Sequence, residues 1–194
     1  MKYAFFNFFL IAALTVGLAL AAFAQAQPAQ APDSPEAAAK AYFAAMQAGD
    51  WDKCASLLHP DALGSMKRTF ATIINADVSG GAAKTIFGLK SNEEFASLSG
   101  ATIFERLMNF MVGAVPDMKT ALAASKTTVL GKVTEGADLV HVVYRTQIKM
   151  SGVEVSEVEL MSFKKQGTTW RGLLTADMEE MVNKLAEGLS GRKE

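Results

Sequence analysis

Residues 127–175, "TTVLGKVTEGADLVHVVYRTQIKMSGVEVSEVELMSFKKQGTTWRGLLT", decide the fold. The apolar pattern there has period two, and Gly136-Ala137, Ser151-Gly152 and Gln166-Gly167 cut it into runs at 127–135, 139–150, 153–165 and 168–175. Two-residue loops containing glycine favour tight hairpins, so the runs predict four strands in an antiparallel meander. Fixed loop lengths also fix the register, and residues opposite one another share a face. One face then carries the rows Val133, Val140, Phe163, Trp170; Gly131, Val142, Met161, Gly172; and Val129, Tyr144, Glu159, Leu174. This is the expected core face, with the glycines removing bulk where a curved sheet needs room.

Within that face Tyr144 and Glu159 are direct neighbours, and Glu157 stands beside Thr146 one row on. A carboxylate held there is desolvated and its pKa raised, the condition wanted of a general acid or base near neutral pH. The alternative is that the sheet leaves the core at this row and both residues meet water. The opposite face carries Lys132, His141, Ser162 and Arg171, then Thr128, Arg145 and Val158. Between them an apolar row, Leu130, Val143, Leu160 and Leu173, crosses the sheet, and a second subunit or the other helices should cover it. The expectation is a homodimer through this face.

Upstream the period is helical. Ser34-Pro35-Glu36 supplies an N-cap, a first-turn proline and an acidic residue suited to the helix dipole. The helix runs to about Ala48, with Ala39, Tyr42, Phe43 and Met46 on one face and Gly49 as its stop. Asp50 caps a second helix that His59-Pro60 ends, because proline restricts its predecessor. Further helices follow to about residue 125. Ser65 can cap "MKRTFATIINA", "SGGAAK" reads as a break, and Ser91 to Glu94 has the spacing of a capping box. Ile103, Phe104, Leu107, Met108, Met111 and Val115 form a broad apolar stripe, read as core or as a methionine-rich groove for apolar ligands. A last amphipathic helix after Thr175 places Met178, Met181, Val182 and Leu185 together, with Glu180 and Lys184 four apart.

The chain begins with Lys2, an apolar run over 8–24 and small-x-small sites at Ala22-Phe23-Ala24 and Ala24-Gln25-Ala26. That reads as an export signal over 1–24, followed by a proline-punctuated linker over 25–33, one domain over 34–188 and a tail over 189–194. An uncleaved membrane anchor is the alternative; after cleavage no membrane span is expected, and the protein is periplasmic or secreted. Losing Lys2 leaves 18 of the 19 basic residues against 20 acidic ones, moving the formal charge from -1 to -2. Near-neutral charge gives no electrostatic case for nucleic acid. The single cysteine, Cys54, excludes an intramolecular disulfide and reads as a small buried side chain in line with Leu57 and Leu58. His141 points outward and His59 reads as a surface residue, so no metal is expected. No cofactor is expected either.

With "SPEAAAKAYFAAMQAGDWDKCASLLHPDAL" over 34–63 followed by helices and a meander ending at "TTWRGLL", the chain resembles the nuclear transport factor 2-like superfamily. The resemblance implies an α+β cone in which the paired N-terminal helices close the open side of a curved four-stranded sheet, anchored by Trp51. Extra central helices and a C-terminal helix depart from that pattern. The family holds ketosteroid isomerase, dehydratases and epoxide hydrolases beside many noncatalytic binding and assembly domains, and fold does not choose among them. No aspartate-arginine-aspartate set or inward histidine is present to carry a family catalytic role over. The leading expectation is an exported module that binds a small, mostly apolar ligand without chemistry. Its expected pocket is lined by Tyr42, Met46, Val142, Tyr144, Glu157, Glu159, Met161 and Trp170. The alternatives are an acid-base enzyme using Glu159 and Tyr144, and a protein that assembles through the outer row.

Overall fold

The computed structural model describes residues 33–77, 81–150 and 152–190. The expected signal, most of the linker and the last four residues of the tail lie outside them. Ser34 caps α1 (Pro35–Ala48): its Oγ accepts from the Ala37 N–H at 3.1 Å, and Gly49, at φ 68, closes the helix. That left-handed φ is what glycine supplies without steric cost. Asp50 then caps α2 (Trp51–Leu57) by accepting from the Lys53 N–H at 3.0 Å, and Trp51 is buried between turn and core.

The next turn departs from expectation. His59-Pro60 ends α2 and at once starts α3 (Pro60–Ala76), with Pro60 in the first turn. Proline lacks only an N–H that a first turn leaves unbonded anyway, so the same dipeptide serves as stop and as start. His59 is the N-cap, its Nδ1 accepting from the Asp61 N–H at 3.1 Å, and Ser65 therefore sits inside the helix instead of capping it. His59 is also buried, which corrects the surface reading.

Of "SGGAAK", residues 81–84 form the start of α4 (Gly81–Phe87), so the break is shorter than expected. Ser91 precedes α5 (Asn92–Ser97), but its hydroxyl caps no N–H, and Glu94 accepts from Lys90 N–H at 3.0 Å. Ser99 caps α6 (Gly100–Ala114), and α7 (Met118–Ala124) leads into the sheet. The rings of Phe70, Phe87 and Phe95 make successive edge contacts at 5.2 Å, binding α3, α4 and α5 into one apolar unit. Such offset ring pairs add to what their burial alone contributes.

The meander is present: β1 (Lys126–Glu135), β2 (Leu139–Met150), β3 (Val153–Gln166) and β4 (Thr169–Gly172) pair antiparallel in chain order. The fold is α+β, with eight helices among the described residues and α8 (Ala176–Ser190) closing the chain. Between β2 and β3 the register matches expectation, including Val142 opposite Met161 and Tyr144 opposite Glu159.

Two registers differ. Glu135 pairs with Leu139, so the first hairpin loop has three residues, and the ladder recovers Val129 opposite Tyr144 only through a bulge at Leu130. The bulge turns residues 131–135 over relative to the expected pattern. Val133 consequently pairs with His141 and is exposed, while Lys132 pairs with Val142 and reaches α1, where its Nζ lies 2.7 Å from Glu36 Oε1. Lys132 holds the Glu36 carboxyl below its usual range.

In the last hairpin Gln166 pairs with Thr169, so Gly167, at φ 61, is the first loop residue instead of the second. Everything on β4 moves by two: Trp170 faces Lys165, and Gly172 faces Phe163. Leu173 lies past the strand and donates its N–H to Ser162 at 2.7 Å, so it is not in line with Leu160.

The inner face packs Val140, Val142, Met161 and Phe163 against the helices. Gly172 is buried where the chain of the hook crosses the sheet: the His59 N–H donates to its carbonyl at 2.7 Å, and a Cβ there would collide with Met161 Cε. Gly131, by contrast, has open space around it. Neither the extra helices nor α8 covers the outer face, where Leu130 is 47% and Leu160 48% exposed.

Candidate functional site

The inner face does not stay sealed along its length. Past the Val142–Met161 pair, α1, the start of β1, the far halves of β2 and β3, and the first turn of α8 enclose a cavity of about 210 Å³. Its walls are mostly apolar, and Tyr42, Met46, Tyr144 and Glu159 all line it as expected. The other four expected lining residues lie elsewhere. Val142 and Met161 are packed in the core with no exposure. Glu157, opposite Thr146, faces solvent. Trp170 is carried by the shifted β4 register to the far end, where Lys165 Nζ lies 5.9 Å from its ring centre.

The ring of Phe43 packs on that of Tyr144 at 4.3 Å, and on Tyr42 edge-on at 5.9 Å, so three aromatic rings stand on one side of the cavity. Tyr42 is buried, and its hydroxyl meets only the weak acceptor Met178 Sδ, at 3.8 Å. Burial, and then the nearby Cys54, push its phenol pKa up. Tyr144 is 5% exposed. Burial first, then a hydrogen bond to the Glu159 carboxylate and the charges of Glu159 and Asp177, hold its hydroxyl well above the ordinary phenol range. Tyr144 is therefore a neutral donor at any working pH. Glu159 itself is only partly buried, nearer to the reading in which this row meets water than to a fully desolvated carboxylate, while Tyr144 stays in the core. The sheet begins to meet water here: Ile148 lines the cavity, but Val155 opposite it is 38% exposed.

Neither the family models nor the curated proteins compared with this chain match it. The site's reading accordingly rests on its own chemistry.

The cavity also uses residues that the strand pattern does not point to. Asp177 and Met178 come from the first turn of α8, and Thr127, Ser125 and Leu122 from the junction of α7 and β1. Gln47 sets that junction, its Nε2 donating to the Ala123 carbonyl at 3.1 Å and the Ser125 carbonyl at 2.8 Å. Met178 has a sequence signal in the amphipathic period of the last helix, whereas Asp177 has none.

Beyond Met46 and Leu122 a second, apolar groove of about 410 Å³ runs between α1, α6, α7 and α8. Five methionines line it: Met46, Met108, Met111, Met118 and Met181. The α6 stripe thus divides: Ile103, Phe104 and Leu107 are core, Met108 is buried core that also borders the groove, and Met111 and Val115 face the groove.

Three polar or reactive candidates play no part in the cavity lining. Cys54 is fully buried, and burial followed by the Asp50 charge pushes its thiol up to about 12, so it is protonated and unreactive. His59 is held below its ordinary value chiefly by burial, and its Nδ1 is already used as a cap. His141 looks outward as expected, bonded to Ser162 Oγ at 2.9 Å and Glu135 Oε2 at 2.7 Å.

Proposed function

We propose that this protein is an exported binding module of nuclear transport factor 2-like type, holding a small, mostly apolar ligand without transforming it. The observation that carries the reading is the cavity at the open end of the sheet, with largely apolar walls and a few polar groups on one side, the usual make-up of a small-molecule site. The export signal expected over 1–24 supports a periplasmic or secreted location, and no helix among the described residues is long and apolar enough to cross a membrane. Native mass spectrometry of protein purified gently from the exported fraction tests it. A persistent small apolar adduct is expected; bare protein that also fails to take up any ligand from a lipid and metabolite extract would overturn the reading.

A second reading has its own support. Glu159 stands opposite Tyr144 on the cavity wall, an arrangement that suits a carboxylate base beside a phenol donor for proton transfer on a bound carbonyl compound. Loss of turnover with retained binding in Glu159→Gln would favour it, and equal loss of both would favour the binding module. As to assembly, the exposed apolar residues of the outer face, Leu130, Val158 and Leu160, favour a second copy as cover. A dimer at micromolar concentration is expected, with Val143→Asp leaving a folded monomer. A monomeric mass for the unaltered protein counts against it.

A further inference from the structure

The cavity and the methionine-lined groove adjoin across Met46 and Leu122, which line both. Their chemistries are opposite. The cavity presents two carboxylates, Glu159 and Asp177, with the rings of Tyr42, Phe43 and Tyr144, and no lysine, arginine or histidine among its described lining residues. The groove presents methionine and aliphatic side chains with Phe110, and no charged side chain among its described lining residues. From this juxtaposition, and resting on the binding-module reading, we propose that the ligand is a single-chain amphiphile with a cationic head, its ammonium in the cavity and its alkyl chain in the groove.

The head follows from electrostatics. An anion in the cavity meets two like charges and no basic side chain among the described lining residues, whereas an ammonium gains both carboxylates. Aromatic faces attract the same charge through their quadrupole, as they do in sites for quaternary ammonium ligands. Burial is the first cause of the raised phenol of Tyr144, and the charges of Glu159 and Asp177 add to it in the same direction. The tail follows from the groove. Methionine is unbranched and polarisable, and adapts to an alkyl chain without a fixed shape. Met46 is only half-buried between the two spaces, so a chain can pass from one to the other past a side chain that moves easily.

Isothermal titration of the full chain with octyltrimethylammonium, sodium octyl sulfate and octyl glucoside, all below their micelle concentrations, tests head and tail separately. The ammonium is expected to bind at least tenfold tighter than the other two, and tenfold tighter than tetramethylammonium. The double variant Glu159→Gln, Asp177→Asn should lose at least tenfold for octyltrimethylammonium and nothing for octyl glucoside. Should it not fold, as judged by circular dichroism, Met111→Asp in the half-exposed groove wall serves instead: it should weaken the octyl ammonium and leave tetramethylammonium unchanged. Octyl sulfate or glucoside binding as tightly as the ammonium would overturn the cationic head while leaving a binding module. Tetramethylammonium binding as tightly as its octyl form would overturn the tail. No binding by any octyl compound would overturn this inference alone; the binding-module reading beneath it falls only if the protein also takes up nothing from a lipid and metabolite extract.

Discussion

The two ends of the β2–β3 pair have the same backbone and the same register but opposite fates. At one end Val142 opposite Met161 is fully buried, as is Phe163 beyond it; at the other, Tyr144 opposite Glu159 and Thr146 opposite Glu157 border a cavity and then water. The same helix, α1, passes over the face at both ends. What changes is the strand's own side chains: a carboxylate cannot be dried without a charged partner, so the packing stops at Glu159 and leaves a space. The lesson is that a pocket here is a core interrupted by one polar row.

The largest test of that contrast is truncation at each end. Phe163→Ala, at a site with no exposure, should cost about 3–5 kcal/mol, and Ile148→Ala, on the same face beside the cavity, about 1 kcal/mol. Urea unfolding measures both, and equal losses would mean the open end is as tightly packed as the sealed one. Next comes Gly172→Ala, which drives a methyl into Met161 Cε and should cost about 1–3 kcal/mol. Because the obstacle is the tip of a flexible side chain, Met161→Ala in the same molecule should recover part of that loss. Simple additivity of the two would place the strain in the backbone instead.

Smaller effects depend on pH. His59 seals the hook against Gly172 and takes up a proton less readily folded than unfolded. Unfolding therefore binds a proton below its ordinary value of 6.5, and stability should fall by less than about 1 kcal/mol as the pH drops from 7 to 5. His59→Asn keeps a capping acceptor but removes the titration, so thermal melts of this variant should be flatter over that range. The smallest effect is at Glu36, whose lowered pKa makes its contribution present above the ordinary 4.5 and lost as the pH falls through the folded value. Lys132→Met should cost less than about 1 kcal/mol at pH 7, since the pair is partly exposed, and the cost should vanish once the pH has fallen through the folded value of Glu36.

The local signals that were legible in the chain share a feature: each is complete within a few residues. Ser34-Pro35, Gly49-Asp50 and the central β2–β3 hairpin read directly, because capping and tight-turn chemistry involve only neighbours. Tyr144 beside Glu159 followed from that hairpin alone. The rest needed information from elsewhere in the fold. Whether Gly167 stands first or second in its loop depends on how β4 meets the end of α2, and that choice moved Trp170 from beside Phe163 to beside Lys165. The loop after Glu135 holds one residue more than expected, and Leu130 absorbs it; nothing local to Leu130 announces this. Asp177 was invisible because its neighbours in the cavity lie on other elements, and His59-Pro60 misled because a proline that ends one helix is equally suited to begin another.

The bulge at Leu130 has a consequence for the sheet's margin. β1 is an edge strand of ten residues, long enough to offer its unpaired backbone groups to a strand of another chain. An irregular ladder with extra twist is a poor template, and Lys126 at the start of the strand adds charge that an incoming strand must desolvate. The residue that breaks the register therefore also makes the edge a poorer template for strand-by-strand growth.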